Sequence, residues 1–226
     1  MITVHHLENS RSQRVLWLLE ELGLAYAVKR YSRDPQTMLA PPELRAVHPL
    51  GKSPVVTDGE DVLAESGAII EALLARYDLG GTLAPAAGTR ERQRFTYWLH
   101  YAEGSAMNPL LLSLVFKRVR EAPVPFFVRP IARGIADKVM GSFVIPQLQL
   151  HFDWIESQLA QFEWFSGTSF GAADIQMSFP LEAGSARGAS DAQRHPHIAR
   201  WLGAIHQRPA YNAALAKGGP YSYVSD

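Results

Sequence analysis

Asn9-Ser10-Arg11-Ser12 gathers an amide, two hydroxyls and a guanidinium into one short turn. Before it, Ile2, Val4 and His6 alternate with Thr3, His5 and Leu7 in the two-residue period of a strand. After it, Val15, Leu16, Leu18, Leu19 and Leu22 recur at helical spacing with Glu20 and Glu21 opposed, and Gly23 stands where a left-handed residue closes a helix. A strand feeding a helix in this way leaves backbone N–H groups unsatisfied. It also aims the positive end of a helix dipole at whatever lies above Asn9 to Ser12, which predicts an anion-friendly site. Ser12 occupies the natural N-cap position, and Ser66 is placed to cap a second helix. Two other polar groupings carry less. His5 and His6 are strand neighbours facing opposite ways and cannot chelate one ion, and His195-Pro196-His197 reads as a helix start, so no metal is predicted. The chain has no cysteine, which excludes disulfides, cysteine-held metals and any mechanism in which the protein's own thiol attacks.

The elements that must position these groups follow from periodicity. Residues 25–31 form a second strand candidate, and prolines 35, 41, 42 and 49 in the polar segment after it exclude a long helix. Pro54 stands where a strand begins; Val55-Val56-Thr57, the turn at Asp58-Gly59 and Val62-Leu63 make a hairpin. Ile69, Ile70, Leu73, Leu74 and Tyr77 then draw a helical stripe that Gly80-Gly81 ends. This is a small α/β unit over 1–80. Residues 81–89 have linker composition, and beyond them only helical periods appear, which predicts an all-helical segment over 90–226. Within it, the spacing predicts a helix over 90–120 interrupted at Pro109, and a connection marked by Pro123, Pro125 and Pro130. A long helix follows over 131–162, bent at Pro146, with Ile135, Val139, Phe152, Ile155 and Leu159 inward. Trp154, Trp164 and Trp201 are read as packing residues. A helix starts near Asp174, another runs over 196–207 until Pro209 stops it, and the tail GGPYSYVSD is frayed or laid across the surface.

With 226 residues, 47% apolar and 19% charged, the chain can bury a substantial core. Its 22 basic and 22 acidic residues cancel, so bulk electrostatics favours neither nucleic acid nor an anionic membrane as partner. No leader pattern and no apolar run of about 18 residues appears, which predicts a cytoplasmic protein.

Three segments together resemble the cytosolic glutathione transferases: SRSQRVLWLLEELGL after the first strand, HPLGKSPVV, and LAESGAIIEALLARY. They come in the family's order and are followed by an all-helical half with an Ala-Asp-Ile helix start. The resemblance implies a thioredoxin-like N-terminal domain followed by an all-α domain. It also implies an enzyme that binds glutathione as co-substrate and conjugates it to a small hydrophobic electrophile. In this family a donor after the first strand holds the thiolate. Lowering a thiol's pKa by about 2 units requires roughly 2.7 kcal/mol of preference for the anion, the order of one hydrogen bond plus a helix N-terminus. The candidate donors are Ser10, Asn9 and Ser12, in that order.

By the same resemblance Pro54 is a cis proline next to Ser53, with the backbone of Val55 pairing to the cysteinyl part of glutathione. Glu65 receives the γ-glutamyl ammonium and Ser66 its carboxylate, and Lys52 takes the glycine carboxylate, with His48 or Arg11 assisting. Leu7, Tyr97, Tyr101 and Met107 are expected to line the electrophile site, and Asp174 to keep half of a capping box whose hydroxyl residue is replaced by Gly171. The family also implies a homodimer. Two rivals remain open: peroxide reduction or isomerisation in the same pocket, and a non-catalytic module that uses the fold to bind ligands or a partner.

Overall fold

A computed structural model describes residues 1–224; Ser225 and Asp226, the end of the tail and of the segment 90–226, lie outside the described residues. The N-terminal part runs β1 (Ile2–Leu7), α1 (Ser12–Glu21), β2 (Tyr26–Tyr31), α2 (Pro42–Val47), β3 (Val55–Asp58), β4 (Asp61–Ala64) and α3 (Ser66–Tyr77). Its sheet has the order β2-β1-β3-β4. β1 and β2 are parallel, which requires the crossover that α1 supplies, while β3 lies antiparallel to both β1 and β4. The mixed sheet with its helices is the thioredoxin-like arrangement. Asp58 faces Asp61 across the hairpin, so Gly59 and Glu60 form a two-residue loop with Gly59 at φ 63°, the left-handed conformation such a loop demands.

α1 is buried on nearly every side from Ser12 to Leu19, because it is wedged between the sheet, α8 (Ala172–Ser185) and α10 (Pro209–Gly218). Its two acids, expected to face solvent, are instead tied to the far end of the chain. Glu21 receives the Arg208 guanidinium at 2.6 Å and Glu20 the Lys217 ammonium at 2.6 Å.

The second part is helical throughout: α4 (Arg90–Tyr101), α5 (Met107–Glu121), α6 (Arg129–Val139), α7 (Ile145–Gln161), α8, α9 (Pro196–His206) and α10. Pro109 does not interrupt its helix, and Pro146 does not split the next. In each case a π-helical turn, Ala102–Ala106 and Met140–Val144, joins the flanking helices just before the proline. Proline lacks the N–H for an i→i−4 bond and crowds that carbonyl, and a widened turn removes both conflicts without ending the helix. Pro130 belongs to the first turn of α6. Pro209 likewise opens α10, a helix absent from the expected pattern, since proline at a first helical position loses no bond that the helix would have made.

Ile135 and Trp154 are corrections to the expected core, being 56% and 42% exposed, whereas Trp201 is fully buried and Trp164 packs edge-on against Phe170. The tail is laid down: Tyr221 donates to Glu182 at 2.7 Å, and Tyr223 packs edge-on against Phe179. Gly171 explains its own presence. A Cβ there would stand 2.8 Å from the Leu83 carbonyl oxygen, which accepts from the Ala172 N–H at 2.8 Å. No helix among the described residues is long and apolar enough to cross a membrane.

Candidate active site

A cleft of about 200 Å³ opens beside the sheet, lined by Arg11, His48, Lys52, Ser53, Pro54, Glu65 and Ser66, with Leu50, Ala64 and Glu103 completing it. The sequence thus named seven of its walls. Each is placed by the end of a regular element: Arg11 by the start of α1, Ser53 and Pro54 by the start of β3, and Glu65 and Ser66 by the start of α3. The Ser53–Pro54 bond is cis.

Val55 is a correction. It pairs with His5 on one side of β3 and with Ala64 on the other, so its N–H and C=O face neighbouring strands and cannot receive a ligand. The available main chain is one residue back: the N–H and C=O of Ser53 have no backbone partner among the described residues. Glu65 holds φ 70°, a left-handed conformation that a non-glycine side chain rarely adopts, and it is exposed at the head of α3. Ser66 is buried as the first residue of that helix and makes no side-chain cap. The first-turn N–H groups therefore remain open toward the cleft. Neither Glu65 nor Lys52 has an ion-pair partner among the described residues.

The three donor candidates separate by position. Ser10 Oγ lies 3.1 Å from Ser53 Oγ, one hydrogen bond behind the cleft wall. Ser12 is deeper and fully buried, with its Oγ 2.8 Å from Ser10 Oγ and 2.9 Å from His6 Nδ1. It is the first residue of α1 rather than its cap, and its N–H points to Ser10 Oγ at 3.3 Å. Asn9 has φ 48°, and its Oδ1 accepts from the Ser222 N–H at 2.8 Å, which ties the amide oxygen to the tail.

The expected electrophile wall is not brought to this cleft. Leu7 packs with Tyr31 and Leu44, Met107 is buried in the core, and the Tyr101 hydroxyl is hydrogen-bonded to His151 Nδ1 at 2.5 Å. Tyr97 stacks on Tyr101 and bonds to Trp154 in a separate groove between α4 and α7. Tyr97 and Tyr101 are four residues apart and share a helix face, whereas Glu103, two residues further on, points the other way and reaches the cleft. Glu103 was missed by the sequence reading. Its signal was an acid between the buried Ala102 and Ala106, upstream of Pro109.

Electrostatics sharpens the picture. Glu103 receives Arg11 at 2.9 Å and the buried Arg14 more closely still, which ties α1 to the turn before α5. Burial pushes its pKa up, but the two guanidiniums outweigh that and hold it below the ordinary carboxylate value. On the strand, burial and then the Arg30 charge lower His6 to about 4, while burial and Lys29 lower His5. His5 turns to Tyr31 at 2.9 Å and His6 to Ser12, on opposite faces.

Comparison with known proteins decides the family. Residues 10–76 match the family described as Glutathione S-transferase, N-terminal domain. Glutathione S-transferase 1 of Saccharomyces cerevisiae is 34% identical over 96% of this chain and 95% of its own length. The chain belongs to the glutathione S-transferase family. It is a transferase. Glutathione S-transferase 3 of Schizosaccharomyces pombe, 36% identical, covers 96% of this chain and 88% of itself. Among solved structures, a glutathione S-transferase from Actinobacillus pleuropneumoniae superposes with TM-score 0.79 at 37% identity, over 98% of this chain and 94% of that one. These matches span the helical part as well as the sheet.

Proposed function

We propose that this transferase binds glutathione in the cleft at Ser53, Glu65 and Ser66, activates it as the thiolate, and conjugates it to a small hydrophobic electrophile. The observation that carries this reading is the set of groups along one wall that have no partner among the described residues. They are the Ser53 backbone, the Glu65 carboxylate, the Lys52 ammonium and the α3 N-terminus. They match a tripeptide with a main chain to pair, an ammonium to meet Glu65, a carboxylate for Ser66 and the helix start, and a second carboxylate for Lys52. Arg11 and His48 stand beside Lys52 as further cationic or donor groups.

Ser10 is the donor to the sulfur, because its hydroxyl stands one hydrogen bond from the cleft-lining Ser53, while Ser12 lies behind it. Residues 1–80 bind glutathione, 81–89 link, and 90–226 supply the electrophile side through the turn that carries Glu103. The enzyme works in the cytoplasm as a homodimer. The exposed aromatic pair Tyr97 and Trp154 offers an apolar surface suited to a second copy.

Titration calorimetry with glutathione tests the binding. Heat at millimolar ligand or below is expected, and none at all would overturn the reading. Turnover of an aromatic chloride, compared with an organic hydroperoxide and a maleyl compound, tests the reaction, with the chloride expected to react fastest. Chromatography checks assembly against twice the 25.1 kDa chain mass.

A further inference from the structure

Four side chains, three from the passage between β1 and α1 and one from the residue before Pro54, meet end to end: His6 Nδ1 to Ser12 Oγ at 2.9 Å, Ser12 Oγ to Ser10 Oγ at 2.8 Å, and Ser10 Oγ to Ser53 Oγ at 3.1 Å. The row runs from the inside outward, since Ser12 is fully buried and Ser53 lines the cleft. A hydroxyl has one proton to give and two lone pairs to fill, so the direction of such a row can be worked out by counting.

Ser10 Oγ has Ser12 as a neighbour twice, through its N–H at 3.3 Å and its hydroxyl at 2.8 Å. If both donate, the Ser10 lone pairs are filled and its single proton must point to the cleft. Ser12 can donate to Ser10 while its own oxygen accepts from His6 Nδ1–H; its other acceptor, the Leu7 carbonyl, is further away at 3.4 Å. Ser53 completes the count by accepting from Ser10 and donating to the His5 carbonyl at 3.4 Å. The opposite polarity would turn the Ser10 lone pairs toward the cleft, where they repel an anion.

We propose that His6 and Ser12 are positioning residues that lock Ser10 as a hydrogen-bond donor facing the cleft, so that its proton turns from Ser53 to the sulfur when glutathione binds. This rests on the reading of the cleft as a glutathione site with Ser10 as donor. No proton is transferred along the row; the thiol proton leaves to solvent, and the row only orients and polarises. The charged and titratable groups around it are Arg30 from β2, Arg11 and Arg14 from α1, Glu103 before α5, and His48 and Lys52 on the cleft wall. His6 stays neutral through the working range, because burial and Arg30 lower it to about 4, so the row keeps one polarity.

The test follows thiolate absorbance of the enzyme–glutathione complex against pH, with calorimetric affinity measured in parallel near about pH 5.5, where a thiol is protonated. Ser12→Ala is expected to raise the bound thiol pKa by about half a unit, a roughly threefold loss of thiolate below it, with affinity near that pH unchanged. His6→Leu should do the same. His6→Asn, whose amide N–H stands where Nδ1–H stood, should restore the lower value, which a merely structural role would not do. If glutathione binds but the thiol pKa does not move in Ser12→Ala and His6→Leu, or moves equally in His6→Asn, the proposal is overturned. If the unmodified enzyme binds no glutathione, the glutathione reading itself falls and this proposal falls with it.

Discussion

Two polar clusters in this molecule look alike in composition and differ in what they leave undone. At the head of α8, fully buried Asp174 accepts from the Phe165 N–H at 3.0 Å, the Gly171 N–H at 3.0 Å and the Trp201 indole at 2.9 Å. That cluster is closed: its groups satisfy one another, and it joins the segment before α8 to α8 and α9. At the head of α3 the reverse holds, because Glu65, Lys52 and the Ser53 backbone have no partner among the described residues and stand around open space. A helix start with an acid beside it is thus a structural joint in one place and an open cleft wall in the other. Completeness of hydrogen bonding, not residue type, tells them apart.

Removing the closed cluster should give the largest effect. Asp174→Ala strands three buried donors and is expected to cost about 3–5 kcal/mol in denaturant unfolding. If glutathione affinity survives in whatever fraction remains folded, the separation of the two clusters holds.

Acid titration gives the next effect, with two opposing contributions. His6 is lowered to about 4 from 6.5, so the unfolded chain takes its proton first. Stability is complete above about pH 6.5 and is lost by roughly 3 kcal/mol as pH falls toward 4. Asp174 is raised by burial to about 6 from 3.8, so it costs stability above pH 6 and returns it as pH falls toward 4. His5, His151 and Glu103 are lowered as well and add acid loss of their own, so the unmodified protein should lose stability toward pH 4, and Asp174→Asn, which removes the one opposing contribution, should lose it more steeply between pH 6 and 4. A variant curve no steeper than the parent's would show that Asp174 does not titrate as its burial implies.

Next to the open cluster, Ser10→Ala is expected to lower kcat/KM for conjugation by about 100-fold, the usual loss of one donor to a developing or held anion, and to cost about 1–3 kcal/mol in unfolding because it strands the buried Ser12 hydroxyl and N–H. Glu65→Gln, which keeps shape and loses charge, should raise the KM for glutathione by about tenfold and leave kcat and the unfolding midpoint close to their original values. A large stability loss in Glu65→Gln would mean that the open cluster is a joint after all.

Much of the N-terminal part was legible because strand alternation and the helical stripes of α1 and α3 are local patterns, and the three matching segments lie within them. Lys52, Ser53, Pro54, Glu65 and Ser66 could be placed in one cleft from spacing and resemblance. The pairing of Val55 could not be seen, since which strand edge is free depends on β1 and β4 arriving on both sides of β3. Tyr97 and Tyr101 were assigned by their helix, but the face they occupy is set by where α7 packs. α10 was hidden by reading Pro209 as an ending when it served as a beginning.

The order of elements, the absence of a protein thiol and the residue types at the helix starts were fixed by the chain alone, because each is a property of neighbours along the backbone. Only the folded molecule decided that Glu103 turns to the cleft, that Asn9 is held by the tail, and that His6, Ser12, Ser10 and Ser53 form one row. Glu103 with Arg11, Asn9 with Ser222 and Ser10 with Ser53 are contacts between residues far apart in sequence, and even His6, Ser10 and Ser12 meet only across the turn from strand to helix; hydrogen bonds of about 3 Å exist only once the fold has brought both partners to one place.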